Sequence, residues 1–117
     1  MQHAETETQI ARIGPDALAA ALLRPGAPVV VDVRTADEYF DRDVGRVPGA
    51  LWIPLEHLLA ESDVLRQLHA PIVVACRVTI RAVLGASVLA RVGITDVAVL
   101  EGGIVAWKAA GRRVETE

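Results

Sequence analysis

Apolar residues fall into short runs separated by polar, Gly- and Pro-rich stretches. The runs at 29–33 and 71–75 are dominated by β-branched residues and show no polar/apolar alternation. That is the pattern of strands buried on both faces of a parallel sheet. Residues 97–100 read as the last strand, 50–53 as a short one and 9–13 as a short edge strand. Between them lie helical signals. Gly14-Pro15-Asp16 opens a helix over 17–23, because Pro is pre-shaped for the first helical position and Asp suits the positive end of the dipole. It stops at the turn cluster Arg24-Pro25-Gly26-Ala27-Pro28. Thr35 and Glu38 form a capping-box pattern before a short helix at 36–40, and 41–49 is a polar loop. A helix or turn from Pro54 to Leu59, a short helix at 63–68 and an Ala/Leu-rich helix at 82–90 follow. The last of these ends near Val92, with Gly93 as its left-handed cap; a final helix at 104–110 is closed by Gly111. Strands alternating with helices predict an α/β fold, a mainly parallel central sheet flanked by helices on both faces. Residues 1–8 read as a flexible tail and 9–117 as one domain.

In such sheets ligands bind beyond the carboxyl ends of the strands. Cys76, Arg34 and Glu101 occupy such ends. Cys76 is the sole cysteine and sits where a strand hands over to a helix, with arginines at 77 and 81. A helix N-terminus offers unpaired N–H groups and a partial positive charge, which favour an anion and make a cysteine placed there reactive. A free cysteine ending a buried strand can equally be a small hydrophobe, and position alone does not separate the two.

Composition narrows the classes. With 117 residues, 52% hydrophobic and 23% charged, the chain is long enough for a real core. Aromatics are only 3%, so Val, Leu, Ile and Ala must build that core. A net charge of −3 without a Lys/Arg run argues against nucleic acid. No apolar stretch is long enough to cross a bilayer, so no membrane partner is expected. The polar, acidic start lacks an apolar signal segment; with one unpaired cysteine, a cytoplasmic location is expected. One cysteine excludes an internal disulfide and a Cys-based zinc site, and His3, His57 and His69 show no ligand spacing. Neither a metal nor a cofactor is expected.

Four ordered motifs carry a resemblance. Val31-Asp32-Val33-Arg34 with Glu38-Tyr39 resembles the first signature of the single-domain rhodanese family of sulfurtransferases. Gly45-Arg46-Val47-Pro48-Gly49-Ala50 resembles its G-H-I-P-G-A turn, with Arg46 in place of the His. Cys76 to Arg81 resembles its C-R-S-G-x-R loop, and Glu101-Gly102-Gly103-Ile104 with Trp107 its E-G-G-[IVF]-x-x-W ending. The motifs span nearly the whole chain.

The resemblance implies a rhodanese-like fold and a cysteine, Cys76, that takes sulfane sulfur as a persulfide. The donor would be thiosulfate or a persulfide, and the acceptor a thiol, cyanide or a protein partner. Arg77 and Arg81 would hold the donor's sulfonate end, and N–H groups of Arg77, Val78, Thr79, Ile80 and Arg81 would face the anion. Asp32 and Arg34 would tie loops together, with Arg34 paired to Glu38, and Glu101 would orient the loop. Trp52 and Trp107 read as core, and Arg46 as a surface turn residue. Four residues separate Cys76 from Arg81, where related phosphatases and arsenate reductases have five; this favours sulfur transfer. Val78 and Thr79 stand where the family often has Ser and Gly. A β-branched residue at positive φ costs about 1–3 kcal/mol. The loop could tolerate Thr79, tilt, or lose an anion-facing N–H, and Thr79→Gly would then alter turnover more than stability. These two positions keep open a second function: a non-catalytic or weakly active rhodanese-like binding or regulatory module.

Overall fold

The computed structural model describes residues 10–116. Five strands form one parallel sheet: β1 (Ala11–Ile13), β2 (Val29–Asp32), β3 (Leu51–Trp52), β4 (Ile72–Ala75) and β5 (Val97–Leu100). Their order is β1-β5-β4-β2-β3. The edge position of β1 and the parallel pairing follow the sequence expectation. The expected tail at 1–8 lies outside the described residues, as does Gln9.

The absence of alternation in the central strands has a direct cause: both faces are covered. Ile72 and Val74 of β4 and Val31 of β2 face one apolar core. Val73, Ala75 and Val30 face the other. Cys76 and Val33 continue the first row beyond the strand ends. Helices α1 (Pro15–Leu22) and α5 (Gly103–Ala109) contribute Leu18, Ile104 and Trp107 to the second core. Helices α3 (Ser62–Gln67) and α4 (Ile80–Arg91) contribute Leu65, Ala82, Ala86 and Leu89 to the first. A short α2 (Ala36–Tyr39) follows β2, and a 3-10 turn spans Leu55–His57.

Local signals behave as their chemistry requires. Thr35 accepts from the Glu38 N–H while the Glu38 carboxylate accepts from the Thr35 N–H, completing the capping box of α2. Trp107 is core and donates Nε1–H to the Arg113 carbonyl. Trp52 is half-buried, stacked 5.1 Å from Tyr39, and donates to the Arg34 carbonyl. One boundary differs in a way that matters. Helix α4 begins at Ile80, not Ala82, so Ile80 and Arg81 belong to its first turn. The Thr79 carbonyl already accepts from the Val83 N–H at 3.1 Å. The open part of the loop is therefore Cys76 to Thr79.

Candidate active site

Cys76 follows β4 directly and is 1% exposed. Its Sγ accepts a hydrogen bond from the Ala82 N–H at 3.3 Å. No side chain caps α4. The sulfur thus stands where a capping oxygen usually sits, taking one of the helix's orphan donors. Negative charge on Sγ would meet the positive end of a twelve-residue helix.

Helix α5 orients the loop from the opposite side. The Cys76 carbonyl accepts from Ile104 N–H at 3.0 Å, and the Arg77 carbonyl from Val105 N–H at 3.1 Å. Carbonyl and N–H point in opposite directions across a trans peptide. The N–H groups of Arg77 and Val78 therefore point away from α5, toward the side of the sheet where Sγ lies. This arrangement needs a very close approach. Gly103 sits at φ +63°, and a Cβ there would lie 2.3–2.5 Å from the carbonyl oxygens of Cys76, Arg77 and Val78. Glycine at 103 is what allows this close passage.

Thr79 adopts φ −141° and ψ −38°, so the residue that replaces glycine carries no left-handed strain. Its Oγ1 accepts from the Gly102 N–H at 3.1 Å, tying the loop to the turn before α5. Val78 and Ile80 are exposed apolar residues, 47% and 74%. Ile80 joins Thr79, Val83, Leu84 and Arg12 around a shallow depression outside α4.

Two expectations about supporting residues are corrected. Arg34 is buried and pairs with Asp32 instead of the Glu38 carboxylate. Its Nη2 lies 2.8 Å from Asp32 Oδ2, and its Nε donates to both Asp32 oxygens. Nη1 and Nη2 also donate to the Glu38 and Gly45 carbonyls, so Arg34 does tie loops together. Asp32 is the nearer carboxylate because both side chains leave the end of the same strand. Glu101 does not reach the loop with its side chain: its carboxylate is half exposed and pairs with Arg12 at 2.9 Å. Its backbone N–H donates to the Ile13 carbonyl, extending the β1–β5 pairing without touching the loop. Loop orientation comes instead from Gly102, Ile104 and Val105 N–H groups.

Arg81 turns its fork to Glu38, Nη1 to Oε1 at 2.6 Å and Nη2 to Oε2 at 2.7 Å. The Arg81 fork, with smaller help from the Thr35 N–H and hydroxyl, holds the Glu38 carboxyl down at about 2. In return Glu38 raises Arg81, with Cys76 and Asp32 adding weaker attraction. Sequence reasoning missed this pair; its signal was opposite charge on the segments after β2 and β4, which lie side by side. Arg46, expected to be a surface turn residue, is instead half-buried, with its guanidinium 4.9 Å from the Tyr39 ring centre. His57 and His69 are exposed, and His3 lies outside the described residues.

Arg77 is exposed and lines a cavity of 200 Å³ with Arg34, Asp37, Glu38, Asp41 and Val44. The cavity opens at the carboxyl ends of β2 and β4. No helix among the described residues is long and apolar enough to cross a membrane.

A family model described as rhodanese-like domain matches residues 15–110. Among solved structures, a Rhodopseudomonas palustris protein of unknown function, described as a possible tyrosine phosphatase, is 30% identical with a TM-score of 0.83. The match covers 97% of this chain and 90% of that one. The thiosulfate sulfurtransferase of Pseudomonas aeruginosa is 26% identical with a TM-score of 0.77, over 97% of this chain and 22% of that one. A rhodanese-like domain protein from Staphylococcus aureus is 27% identical with a TM-score of 0.67, covering 84% of this chain and 91% of that one. No curated protein matches.

Proposed function

The chain belongs to the rhodanese-like domain family, and from that premise we propose that it is a sulfurtransferase working through a Cys76 persulfide. The observation that carries the proposal is the position of Sγ. It lies under the Ala82 N–H at the start of α4, within a loop whose N–H groups α5 turns to the same side.

The Cys76 thiolate attacks the sulfane sulfur of thiosulfate. A disulfide-type bond forms, the bond to the sulfonate sulfur breaks, and sulfite leaves with its electron pair. The product Cys76–S–S⁻ keeps one negative charge, which the inward N–H groups and the α4 terminus stabilise as an oxyanion hole stabilises its oxygen. Arg77, the exposed guanidinium beside the cavity, meets the donor's sulfonate. Arg81 acts through Glu38 and its charge, holding α2 against the loop while adding positive potential near Sγ. A thiol or cyanide then removes the outer sulfur and restores the thiolate.

Two alternatives bear on this reading. The Rhodopseudomonas protein's description raises phosphatase chemistry. Only four residues separate Cys76 from Arg81, against five in the phosphatases the loop resembles, which supports sulfur over phosphate. Val78 and Thr79 had suggested a non-catalytic module. Thr79 at negative φ removes the strain part of that argument, while Val78 still lacks the hydroxyl of the family's usual Ser. The test is sulfite release from thiosulfate with cyanide as acceptor. The wild type should turn over and Cys76→Ala should not; equal release by both would end the proposal.

A further inference from the structure

We infer that Val114 and Glu115, in the segment after α5, are positioning residues for the active-site loop and act on Cys76 through Gly45, Arg34 and the Glu38–Arg81 pair. The inference rests on the proposed persulfide chemistry and adds to that site a strap that touches no substrate. The strap is anchored where it leaves α5, since Trp107 donates to the Arg113 carbonyl and Val114 packs against the second core. Arg46 and Glu115 then exchange both backbone hydrogen bonds at 2.9 Å. Gly45 lies against them at φ +79°: a Cβ there would sit 2.8 Å from the Val114 side chain and 3.1 Å from the Glu115 carbonyl oxygen.

One peptide group carries the coupling. The Gly45 carbonyl and the Arg46 N–H belong to the same trans peptide and point in opposite directions. The strap takes the N–H on one side, and Arg34 Nη2 meets the carbonyl on the other at 3.0 Å. Arg34 is 1% exposed, so a donor that loses this acceptor cannot turn to water. Its remaining bonds go to the Asp32 carboxylate and, through Nη1, to the Glu38 carbonyl. The Glu38 carboxylate in turn holds both Nη groups of Arg81. Arg81 immediately precedes Ala82, whose N–H donates to Sγ. Each link is a hydrogen bond or a chain neighbour, from the strap to the nucleophile. Turning the 45–46 peptide therefore pulls Arg34 away from Glu38 and loosens the hold on the first turn of α4. Arg77, assigned to the donor's sulfonate, lies off this path.

Two variants test the strap. Glu115→Pro removes the N–H given to the Arg46 carbonyl and the carboxylate that accepts from Gly49 N–H at 3.3 Å. Val114→Ala is the milder change, thinning the cover over Gly45, and it carries the test alone if the proline variant does not fold. In heteronuclear NMR spectra of the folded protein, each should move the Arg34 Nε–H signal and the amides of Glu38, Arg81 and Ala82. Arg112→Ala, which removes an exposed pair with Asp16 from the same segment, should move none of them. In sulfite release, kcat should fall about three- to tenfold, the worth of one hydrogen bond, with KM for thiosulfate within about twofold of wild type. Unmoved signals in the strap variants, the same movement in Arg112→Ala, or moved signals with an unchanged kcat overturn the inference. Moved signals in a protein whose wild type shows no turnover with any sulfane donor overturn the proposed function instead and leave the coupling of strap to Cys76 standing.

Discussion

Gly103→Ala is the substitution that loads the most consequence onto one methyl group. The added Cβ would sit 2.5 Å from the Cys76 and Arg77 oxygens and 2.3 Å from that of Val78. Ordinary contact begins near 3.4 Å, so each oxygen must retreat by roughly 1 Å. These are backbone atoms, two of them bonded to Ile104 and Val105 N–H, and they have no rotamer to escape into. Alanine at φ +63° costs about 1–2 kcal/mol, and the overpacking about 1–3 kcal/mol more. Gly111→Ala is the matched control at the other end of α5. Its φ is +76°, yet its Cβ would meet nothing within 4 Å, so only the backbone cost applies. Urea unfolding should therefore show Gly103→Ala less stable than Gly111→Ala by about 1–3 kcal/mol. Sulfite release should separate them further. A 1 Å displacement of reacting groups costs on the order of 100-fold in rate, whereas Gly111→Ala should stay close to wild type. Equal stability of the two variants, with full turnover in Gly103→Ala, would refute the claim that α5 sets the loop.

The Glu38–Arg81 pair makes stability depend on pH. The Glu38 carboxyl is lowered from 4.5 to about 2, so its contribution is fully present above pH 4.5 and is lost as pH falls toward 2. Both side chains are about a third exposed, so the pair contributes about 1 kcal/mol. Glu38→Gln keeps a capping-box residue, and its deficit at pH 7 should shrink by more than half at pH 3; a constant deficit across urea melts would contradict this. Arg34→Met leaves the Asp32 carboxylate buried and unpaired, and should cost about 3–5 kcal/mol, with part recovered on adding Asp32→Asn. A loss below 1 kcal/mol in denaturant unfolding would show the pair to be solvated. Thr79→Gly relieves no strain and loses the acceptor for Gly102 N–H, so it should cost about 1 kcal/mol without raising turnover. A faster variant would show that the loop does favour glycine there.

Much of the fold was legible because the sequence signals are local. The β-branched runs, the Pro15 start of α1, the Thr35–Glu38 box and the terminal glycines each act within a few residues. The position of Cys76 was legible for the same reason, as a strand end meeting a helix start. What escaped was set by distance in sequence. Arg34 could be placed at a strand end, yet the choice between Asp32 and Glu38 depends on which way a buried guanidinium turns. Arg81 and Glu38 meet only because β2 and β4 are neighbours. Glu101 faced Arg12 because the first strand returns to the far edge beside β5. The concern over Thr79 failed for a related reason. A glycine in a motif suggests positive φ, but here the loop passes α5 with the glycine conformations at Gly102 and Gly103, leaving Thr79 an ordinary backbone.

The most direct test of the central claim is the intact mass of the protein after incubation with thiosulfate and removal of the excess donor. A Cys76 persulfide predicts a gain of one sulfur atom that cyanide removes and that Cys76→Ala never acquires. An unchanged mass with thiosulfate and with a persulfide donor, or an equal gain in Cys76→Ala, would contradict it.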